Sequence, residues 1–388
     1  MGFGTVGTGV EEILYRKRDL LLKNNFDIEI DRILIKDKNK ERTPLDRDLV
    51  FTNDFNEILE SGVDTVIDVT TDLEQTYQRI VTLIKSGKNI VTANKAVVSK
   101  YFEQLNELAR INDVYLSYEA SVAAAIPLIH PLMEEAIFSD IDKIFGILNG
   151  TSNYILSNME VEDASYQEVL KKAQDLGFAE ADPTADVGGF DAMRKIRILS
   201  SLIYNAEIKE EEIFTFGISN VKKSDFDFAK KMGYSIRLLA KSQLSDGKIN
   251  ISVIPTFIND AFFAQTYQAT NGVKVWGENF SSYEFKGPGA GKLETGQAVV
   301  RDLLRILSKR EIKPFYNNGN SYQVENSIKN RFYIRTSEVT SSLNELIDSE
   351  EVEGKEHFIL TKKISLDELK NSILDLSAVF IAEIEEGI

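Results

Sequence analysis

Over the first ninety residues, short apolar runs alternate with amphipathic stretches. Residues 28–35, 65–69 and 89–92 read as strands, and residues 10–22, 55–59 and 74–86 as helices. Alternation of this kind predicts a parallel sheet with both faces covered, with Gly87 placed where a helix C-cap is expected. From about residue 130 the pattern changes. Residues 141–148 read as a strand, and Ser165-Tyr-Gln-Glu168 is a capping box opening a helix that Gly177 closes. A second helix is predicted over 192–204, and apolar strands at 249–256 and 269–275 predict a sheet in this middle region. Asn317-Asn-Gly-Asn-Ser321 reads as a linker. The last sixty residues then read strand (331–335), helix, strand (357–360), helix and strand (378–384), with Ser365-Leu-Asp-Glu368 a further capping box. They predict a small α+β module.

Composition narrows the chemistry. The 388 residues make two or three domains at roughly 150 residues each, and 43% apolar content supplies well-buried cores. Forty-five basic against 61 acidic residues leave a net charge of −16, which argues against nonspecific binding to nucleic acid or anionic lipid. The absence of cysteine excludes disulfides, thiolate metal sites and thiol nucleophiles. Only His130 and His357 are present, too few for a His-rich metal site and poor support for a Ser-His-Asp triad. No apolar run reaches the ~18 residues of a membrane helix, and the first residues are not those of a leader peptide. A soluble, cytoplasmic protein is expected, with chemistry resting on Lys, Asp, Glu, Ser, Thr or a cofactor.

Gly2-Phe-Gly4-Thr-Val-Gly7-Thr-Gly9 is a GxGxxG pattern with an extra glycine, leading into an amphipathic helix. In such a loop one glycine makes the turn, the second admits a pyrophosphate, and the third lets helix pack on strand. Phosphate sits at the helix N-terminus, where free N–H groups and the dipole favour negative charge. The fingerprint normally follows a central strand, and here only Met1 precedes it. Two strands with unpaired inner edges are therefore expected, and a start upstream of Met1 is the reading that leaves the rest of the domain pattern intact.

The segment from Ala173 to Lys195 is the richest in chemistry. A helix ends at Gly177, an extended acidic loop carrying Glu180, Asp182 and Asp186 is fixed by Pro183, and Asp191 is expected to cap the next helix. Asp191 and Lys195, four residues apart, share a helical face. Ala192, Ile196, Leu199 and Ile203 form the buried face, which turns Asp191 and Lys195 toward the loop. The plain alternative is a solvated acidic loop with an ordinary ion pair worth ~0.3–0.5 kcal/mol.

Taken together these motifs resemble the homoserine dehydrogenase family. Ala173, Gly177, the acid before Asp182-Pro183, Asp186, Gly189, Asp191 and Lys195 match its signature. In the same chain order, Gly2–Gly9 resembles the family's nucleotide loop and the run from Gly87 to Lys95 its lysine-bearing strand end. Glu119-Ala-Ser-Val122 resembles its cation-binding turn, Leu148-Asn149-Gly150-Thr151-Ser-Asn153 its substrate-domain entry, and Gly287-Pro-Gly-Ala-Gly291 the segment returning to the cofactor. The resemblance covers residue 2 to about residue 310.

That resemblance implies a Rossmann-type nucleotide-binding domain lacking its first strand (1–125, completed by 286–312), an α+β substrate and dimerisation domain (126–285), and an ACT-like tail (325–388). It implies NADP- or NAD-dependent interconversion of L-homoserine and L-aspartate 4-semialdehyde, in threonine and methionine biosynthesis, by a homodimer formed through the middle sheet. Hydride delivered to an aldehyde carbon leaves charge on its oxygen, which an ammonium stabilises and protonates. Lys195 is assigned as principal acid/base and Lys95 as its assistant, roles that sequence alone leaves interchangeable. Glu180 and Asp191 match the acids that hold the substrate's ammonium and orient its hydroxyl, and Asp186 belongs to the same acidic wall, pairing with Lys195 being its alternative role. Phe3, Gly4, Thr5, Val6, Gly7, Lys36, Thr70, Thr71, Lys95, Gly177, Gly289 and Gly291 are the expected cofactor contacts. The cluster Lys36, Lys38, Lys40 and Arg42 leans toward NADP, a solvated Lys-rich turn being the plain alternative. Glu119, with carbonyls of Val122, Ala124 and Ile126, corresponds to a monovalent-cation site, although alanines stand where glycines are usual.

The chain also departs from the family at Thr70-Thr71-Asp72, where paired glycines are usual, and its tail is about one strand short of an ACT domain. His130 reads as a satisfied, partly buried histidine. A phosphorylating semialdehyde dehydrogenase would need a cysteine, and a lactate-type enzyme a histidine base. A catalytically weak, cofactor-sensing protein is the alternative should the first strand be absent.

Overall fold

Two of the expected strands, Thr65–Asp68 and Asn89–Thr92, align in parallel through their main chains, and Leu116–Ser117, which the sequence pattern does not predict, joins them as a third. The computed structural model describes residues 1–310, 322–373 and 379–386. The chain forms two units. One holds Met1–Phe138, Ser201–Glu207 and the described part of Pro288–Gly319, and the other Ser139–Ser200, Ile208–Gly287 and the described part of Asn320–Ile388. The expected linker at 317–321, residues 311–312 of the returning segment and the first residue of the strand expected at 378–384 lie outside the described residues.

In the first unit, helix Glu74–Lys85 links two parallel strands and buries Ile80, Leu83 and Ile84. Gly87, at φ +81°, ends the turn as expected. The strand expected over 28–35 shrinks to Ile33–Leu34, which pairs in parallel only with Phe51–Thr52. The reason is the slot beside it. Where the strand before the glycine fingerprint would run there are only Met1 and Gly2. The Met1 ammonium donates to the Ile67 carbonyl, Val69 N–H to Met1 O (2.9 Å), and Gly2 N–H to Leu34 O (2.9 Å). The sheet is accordingly in two pieces of two and three strands.

The helix expected over 10–22 begins earlier and runs Thr5–Lys23. It packs along helix Lys292–Leu307, and Val10, Leu14, Ala298, Val299 and Ile306 share a core cluster with Val91. Gly9, the extra glycine, makes this contact: a Cβ there would lie 2.2 Å from Lys292 O.

The second unit is organised on a mixed sheet. Its strands lie in the order Phe280–Pro288, Thr270–Gly277, Ile141–Ile147, Ser235–Ser245, Lys248–Ile258, Phe380–Ile384, Lys329–Thr336, Glu356–Thr361, Ile347–Glu353. The long hairpin of Ser235–Ser245 and Lys248–Ile258 turns at Asp246-Gly247, both at positive φ (51° and 73°), the geometry that matches strand twist in two-residue turns. Its first strand was absent from the sequence reading because it buries Arg237 and Lys241, which break the apolar pattern.

The tail corrects another expectation. Its described residues include a strand that the sequence pattern does not predict, Ile347–Glu353, and its four longer strands follow a βαββαβ order with sheet positions 4-1-3-2, the two-residue strand Ile364–Ser365 pairing off this path with Lys329–Asn330. That strand (Ile-Asp-Ser-Glu-Glu-Val-Glu) is a charged edge with no apolar alternation to betray it.

Candidate active site

In the second unit the strand Ile141–Ile147 ends at Leu148-Asn149, and Asn149 caps helix Gly150–Glu162 by accepting the Ser152 N–H at 2.7 Å. The Asn149 amide nitrogen also donates to Asp186 Oδ1 (2.7 Å) and Asp191 Oδ2 (2.9 Å). Lys195 Nζ donates to the same Asp191 Oδ2 (2.7 Å) and to the Leu148 carbonyl (2.6 Å), which also takes a hydrogen bond from Asn271 at 3.1 Å. Asp191 and Lys195 are only 3% and 6% exposed. The amine is thus held out of bulk water, between a carboxylate and a carbonyl, with its direction set by the packing of Ile196 and Leu199 on the same helix.

Two local expectations change. Helix Phe190–Tyr204 starts one residue before Asp191, so Asp191 lies in its first turn and is not the cap. The extended loop after Pro183 is partly coiled into a helical turn, Thr184–Val187. That turn brings the Asp186 carboxylate to Asn149. Glu180 is exposed and makes no hydrogen bond within this network; its carbonyl accepts from Gln174 Nε2 at 3.2 Å. Gly177, at φ +77°, terminates the preceding helix.

In the first unit the expected cofactor residues fall on or beside the C-terminal ends of the parallel strands, where open α/β sheets take ligands. Gly7 is pressed against the start of the loop, its absent Cβ 2.7 Å from Gly2 O, whereas a Cβ at Gly4 would meet open space. Gly4 stands at the N-cap of Thr5–Lys23 without a side-chain cap, and the first turn carries no acid. Its N–H donors suit a pyrophosphate. Phe3 packs edge-on against Phe51, 5.2 Å between centroids. Lys36 is exposed after Ile33–Leu34, and Thr71 is exposed after Thr65–Asp68. The Thr70 hydroxyl is engaged with Asp68 (2.6 Å) and Thr76 (2.7 Å). Lys95 opens helix Lys95–Lys100, half-buried, behind an Asn94 cap whose amide also ties the Thr70 and Asp72 carbonyls at 3.0 Å. Gly289 and Gly291 precede helix Lys292–Leu307, with Gly291 at φ +141°.

Glu119 is fully buried and caps helix Ile129–Glu135, accepting the N–H groups of Leu128 (2.6 Å), Ile129 (3.0 Å) and His130 (3.0 Å). Ala123 and Ala124, where the family has glycines, sit in the left-handed region at φ 52° and 43°. His130 is buried and bonded through Nε2 to Asp302 Oδ1 (2.7 Å), and Asp302 Oδ2 accepts the Glu119 N–H at 3.0 Å. Burial pushes the Asp302 carboxyl up to about 6 against the opposing pull of His130. Nothing in the sequence announces Asp302, because its partners lie far away in the chain. Asn149 lies in the Leu148–Asn153 segment and caps the helix after it, but its contacts to Asp186 and Asp191 span 37 and 42 residues and leave no local signal.

Comparison with known proteins agrees across the chain. A family model described as "Homoserine dehydrogenase, NAD binding domain" matches residues 2–119, and one described as "Homoserine dehydrogenase" matches residues 127–304. A homoserine dehydrogenase of Bacillus subtilis (strain 168) is 39% identical over 333 residues, 85% of this chain and 77% of the relative. One of Synechocystis is 39% identical over 315 residues, 79% and 72%. Among solved structures, a homoserine dehydrogenase from Thiobacillus denitrificans superposes with a TM-score of 0.88 at 28% identity, covering 99% of this chain and 97% of that one. The Staphylococcus aureus enzyme at pH 6.0 gives 0.79 at 32% identity, covering 100% and 98%. No described helix is long and apolar enough to cross a membrane. With a Rossmann-type nucleotide-binding region and an NAD(P)-binding family match, the chain belongs to the homoserine dehydrogenases, oxidoreductases acting on a CH–OH group.

Proposed function

We propose that Lys195 is the proton donor and acceptor in the interconversion of L-homoserine and L-aspartate 4-semialdehyde. The observation that carries this is the buried Lys195 ammonium held at 2.7 Å from Asp191 and 2.6 Å from Leu148 O. In the reducing direction Lys195 gives a proton to the oxygen on which charge develops, and in the reverse direction its neutral form removes the hydroxyl proton. Asp191 and Asp186, linked by Asn149, attract the substrate's ammonium, and Glu180 adds its charge from the loop. Lys95, at a strand end in the nucleotide-binding unit, assists from the nicotinamide side. The nicotinamide cofactor, when bound, gives or takes the hydride.

Residues Phe3 to Gly7 would hold the pyrophosphate on main-chain N–H groups. Thr70, Thr71, Gly177, Gly289 and Gly291 complete the cofactor surroundings, Thr70 through its main chain since its hydroxyl is engaged. The exposed Lys36 favours NADP over NAD through the 2′-phosphate. A monovalent cation is assigned to the main-chain carbonyls of Val122, Ala124 and Ile126 beside Glu119; oxygen donors suit a hard cation, and the cap made by the Glu119 carboxylate leaves most of the coordination to the carbonyls. We assign nucleotide binding to residues 1–125 with 286–312, substrate binding and dimerisation to 126–285, and an ACT-like packing or regulatory role to 325–388, in a cytoplasmic homodimer. The βαββαβ order of the tail supports the last of these. The relatives lend the cofactor-sensing alternative no support.

The test is direct. Purified protein with homoserine and NADP or NAD generates reduced-nicotinamide absorbance, and Lys195→Ala loses most of it while retaining its circular dichroism. Absence of turnover with both cofactors by the folded protein overturns the reading. Lys36→Ala weakens NADP more than NAD.

A further inference from the structure

Asp191 Oδ2 and Leu148 O hold the Lys195 amine, and each is shared with an asparagine. Asp191 Oδ2 accepts from Lys195 Nζ at 2.7 Å and from Asn149 Nδ2 at 2.9 Å. Leu148 O accepts from Lys195 Nζ at 2.6 Å and from Asn271 Nδ2 at 3.1 Å. Asn149 also links the acids of the site, but Asn271 comes from a different element, the strand Thr270–Gly277. In the antiparallel ladder Gly272 pairs with Ile147, which sets Asn271 across from Leu148, and Asn271 is fully buried.

The motif that carries Asn149 also fixes the approach to Asn271. The Asn153 amide nitrogen donates to the carbonyls of Thr266 (3.0 Å), Gln268 (2.9 Å) and Thr270 (3.2 Å). Gly150 lies so close to the same segment that a Cβ there would be 2.9 Å from Ala269 O. The chain leading into Asn271 is thereby fastened to the first turn of helix Gly150–Glu162, and its amide is held against the Leu148 carbonyl.

Packing alone is a poor account of an asparagine at this position. Asn271 Oδ1 is buried and takes no hydrogen bond from the described residues, which costs free energy. Leu148 O would keep Lys195 as a donor without it, so an apolar side chain would serve the strand better. The effect of the amide is electrostatic. A carbonyl shared by two donors holds each less strongly than it would hold one, and the positive hydrogen end of the amide faces the oxygen that the ammonium also faces. Charge reaches Lys195 from Asp191 on its own helix and, through Asn149, from Asp186 on the turn Thr184–Val187. The strand ends carrying Leu148 and Asn271 and the first turn of helix Gly150–Glu162 bring neutral groups. Asp191 and Leu148 O both favour the ammonium, whereas an acid/base lysine has to release its proton near working pH.

We propose that Asn271 is a positioning residue for Lys195: by sharing the Leu148 carbonyl it sets the direction of the amine and keeps the ammonium from being held too tightly to give up its proton. The inference rests on the assignment of Lys195 as proton donor and acceptor. Asn271 acts through Leu148 and Lys195, not on the substrate.

The test compares the unmodified protein with Asn271→Ala and with Asn271→Asp, which keeps the size of the side chain and replaces the donor by an anion. The Lys195 Nζ signal in the nitrogen NMR spectrum of isotope-labelled protein is identified as the one lost in Lys195→Ala. Its titration midpoint rises by about half a pH unit to one unit in Asn271→Ala, roughly a three- to ten-fold gain in proton affinity, and by more in Asn271→Asp. The limb of the kcat/KM profile for homoserine oxidation that reports the free enzyme's base moves the same way, while the urea midpoint and the KM for cofactor of Asn271→Ala change little. A lower rate with an unmoved profile and an unmoved Nζ midpoint overturns the proposal and leaves Asn271 a structural support. Should Asn271→Ala not fold, the same-sized Asn271→Asp decides, and an unmoved midpoint there overturns it equally. Turnover retained by Lys195→Ala would instead defeat the catalytic assignment, and the Nζ titration, which needs no turnover, tells the two failures apart.

Discussion

Lys195 reaches back one helical turn to Asp191, Nζ to Oδ2 at 2.7 Å, and the pair is shielded from water. Removing one partner of such a pair leaves the other as an uncompensated buried group. Asp191→Asn keeps the shape and removes the charge. We expect kcat to fall by about 10²-fold or more, with the pH profile of kcat/KM displaced because the amine loses its anionic neighbour. A profile superposable on that of the unmodified protein would separate Asp191 from the proton chemistry.

Asn149 holds two carboxylates and a helix end with one side chain. Asn149→Ala forfeits the cap, about 1 kcal/mol, and releases Asp186 from Asp191. The expected signature is a rise in KM for the amino-acid substrate exceeding any change in KM for the cofactor. Equal changes in both would point to a general loss of structure.

Ala123 and Ala124 hold left-handed backbone angles, which cost an L-residue roughly 1–2 kcal/mol that glycine does not bear. Glycine also gives the unfolded chain more freedom, worth about 0.4–1 kcal/mol in the other direction. Ala124→Gly is therefore expected to stabilise by about 0.5–1 kcal/mol, read as a higher urea midpoint at unchanged m-value. A lower midpoint would show that the alanine methyl packs too well to give up.

Gly9→Ala places a methyl 2.2 Å from Lys292 O, a main-chain atom that no rotamer change can move. The helices Thr5–Lys23 and Lys292–Leu307 must separate, at a cost of about 1–3 kcal/mol. Nucleotide affinity, measured by fluorescence titration, falls with the same substitution because the glycine loop begins that first helix. Gly62→Ala, with open space around it, serves as the neutral control.

Asp302 gives stability a pH slope of known sign. Its folded pKa of about 6 lies above the ordinary 3.8, so between these values the native state keeps a proton that the unfolded chain has released. The contribution is complete below about pH 4 and is lost as pH rises through 6, up to about 3 kcal/mol. Asp302→Asn should flatten the urea midpoint over that interval. An unaltered slope would place the titration elsewhere.

Much of the site was legible because its chemistry is local. The spacing of Asp191 and Lys195 sets them on one helical face whatever surrounds the helix, and Gly2, Gly4 and Gly7 define a turn within six residues. The capping boxes at Ser165 and Ser365 were read correctly for the same reason. Failures came where polar residues occupy interior positions or where an edge carries charge. Ser235–Ser245 hid behind Arg237 and Lys241, and Ile347–Glu353 behind its acids.

Local spacing and residue type were enough to place a glycine turn before a helix, to set a lysine and an acid on one helical face and to exclude thiol chemistry, while the family came from the resemblance of whole motifs in order. Pairing at a distance was beyond them. That Asn149 joins Asp186 to Asp191, that Glu119 spends its carboxylate on a helix end beside His130 and Asp302, and that Gly9 serves a helix contact all depend on segments far apart in the chain. A hydrogen bond or a contact of 3 Å is set by where the folded backbone returns, and no window of neighbouring residues contains that information.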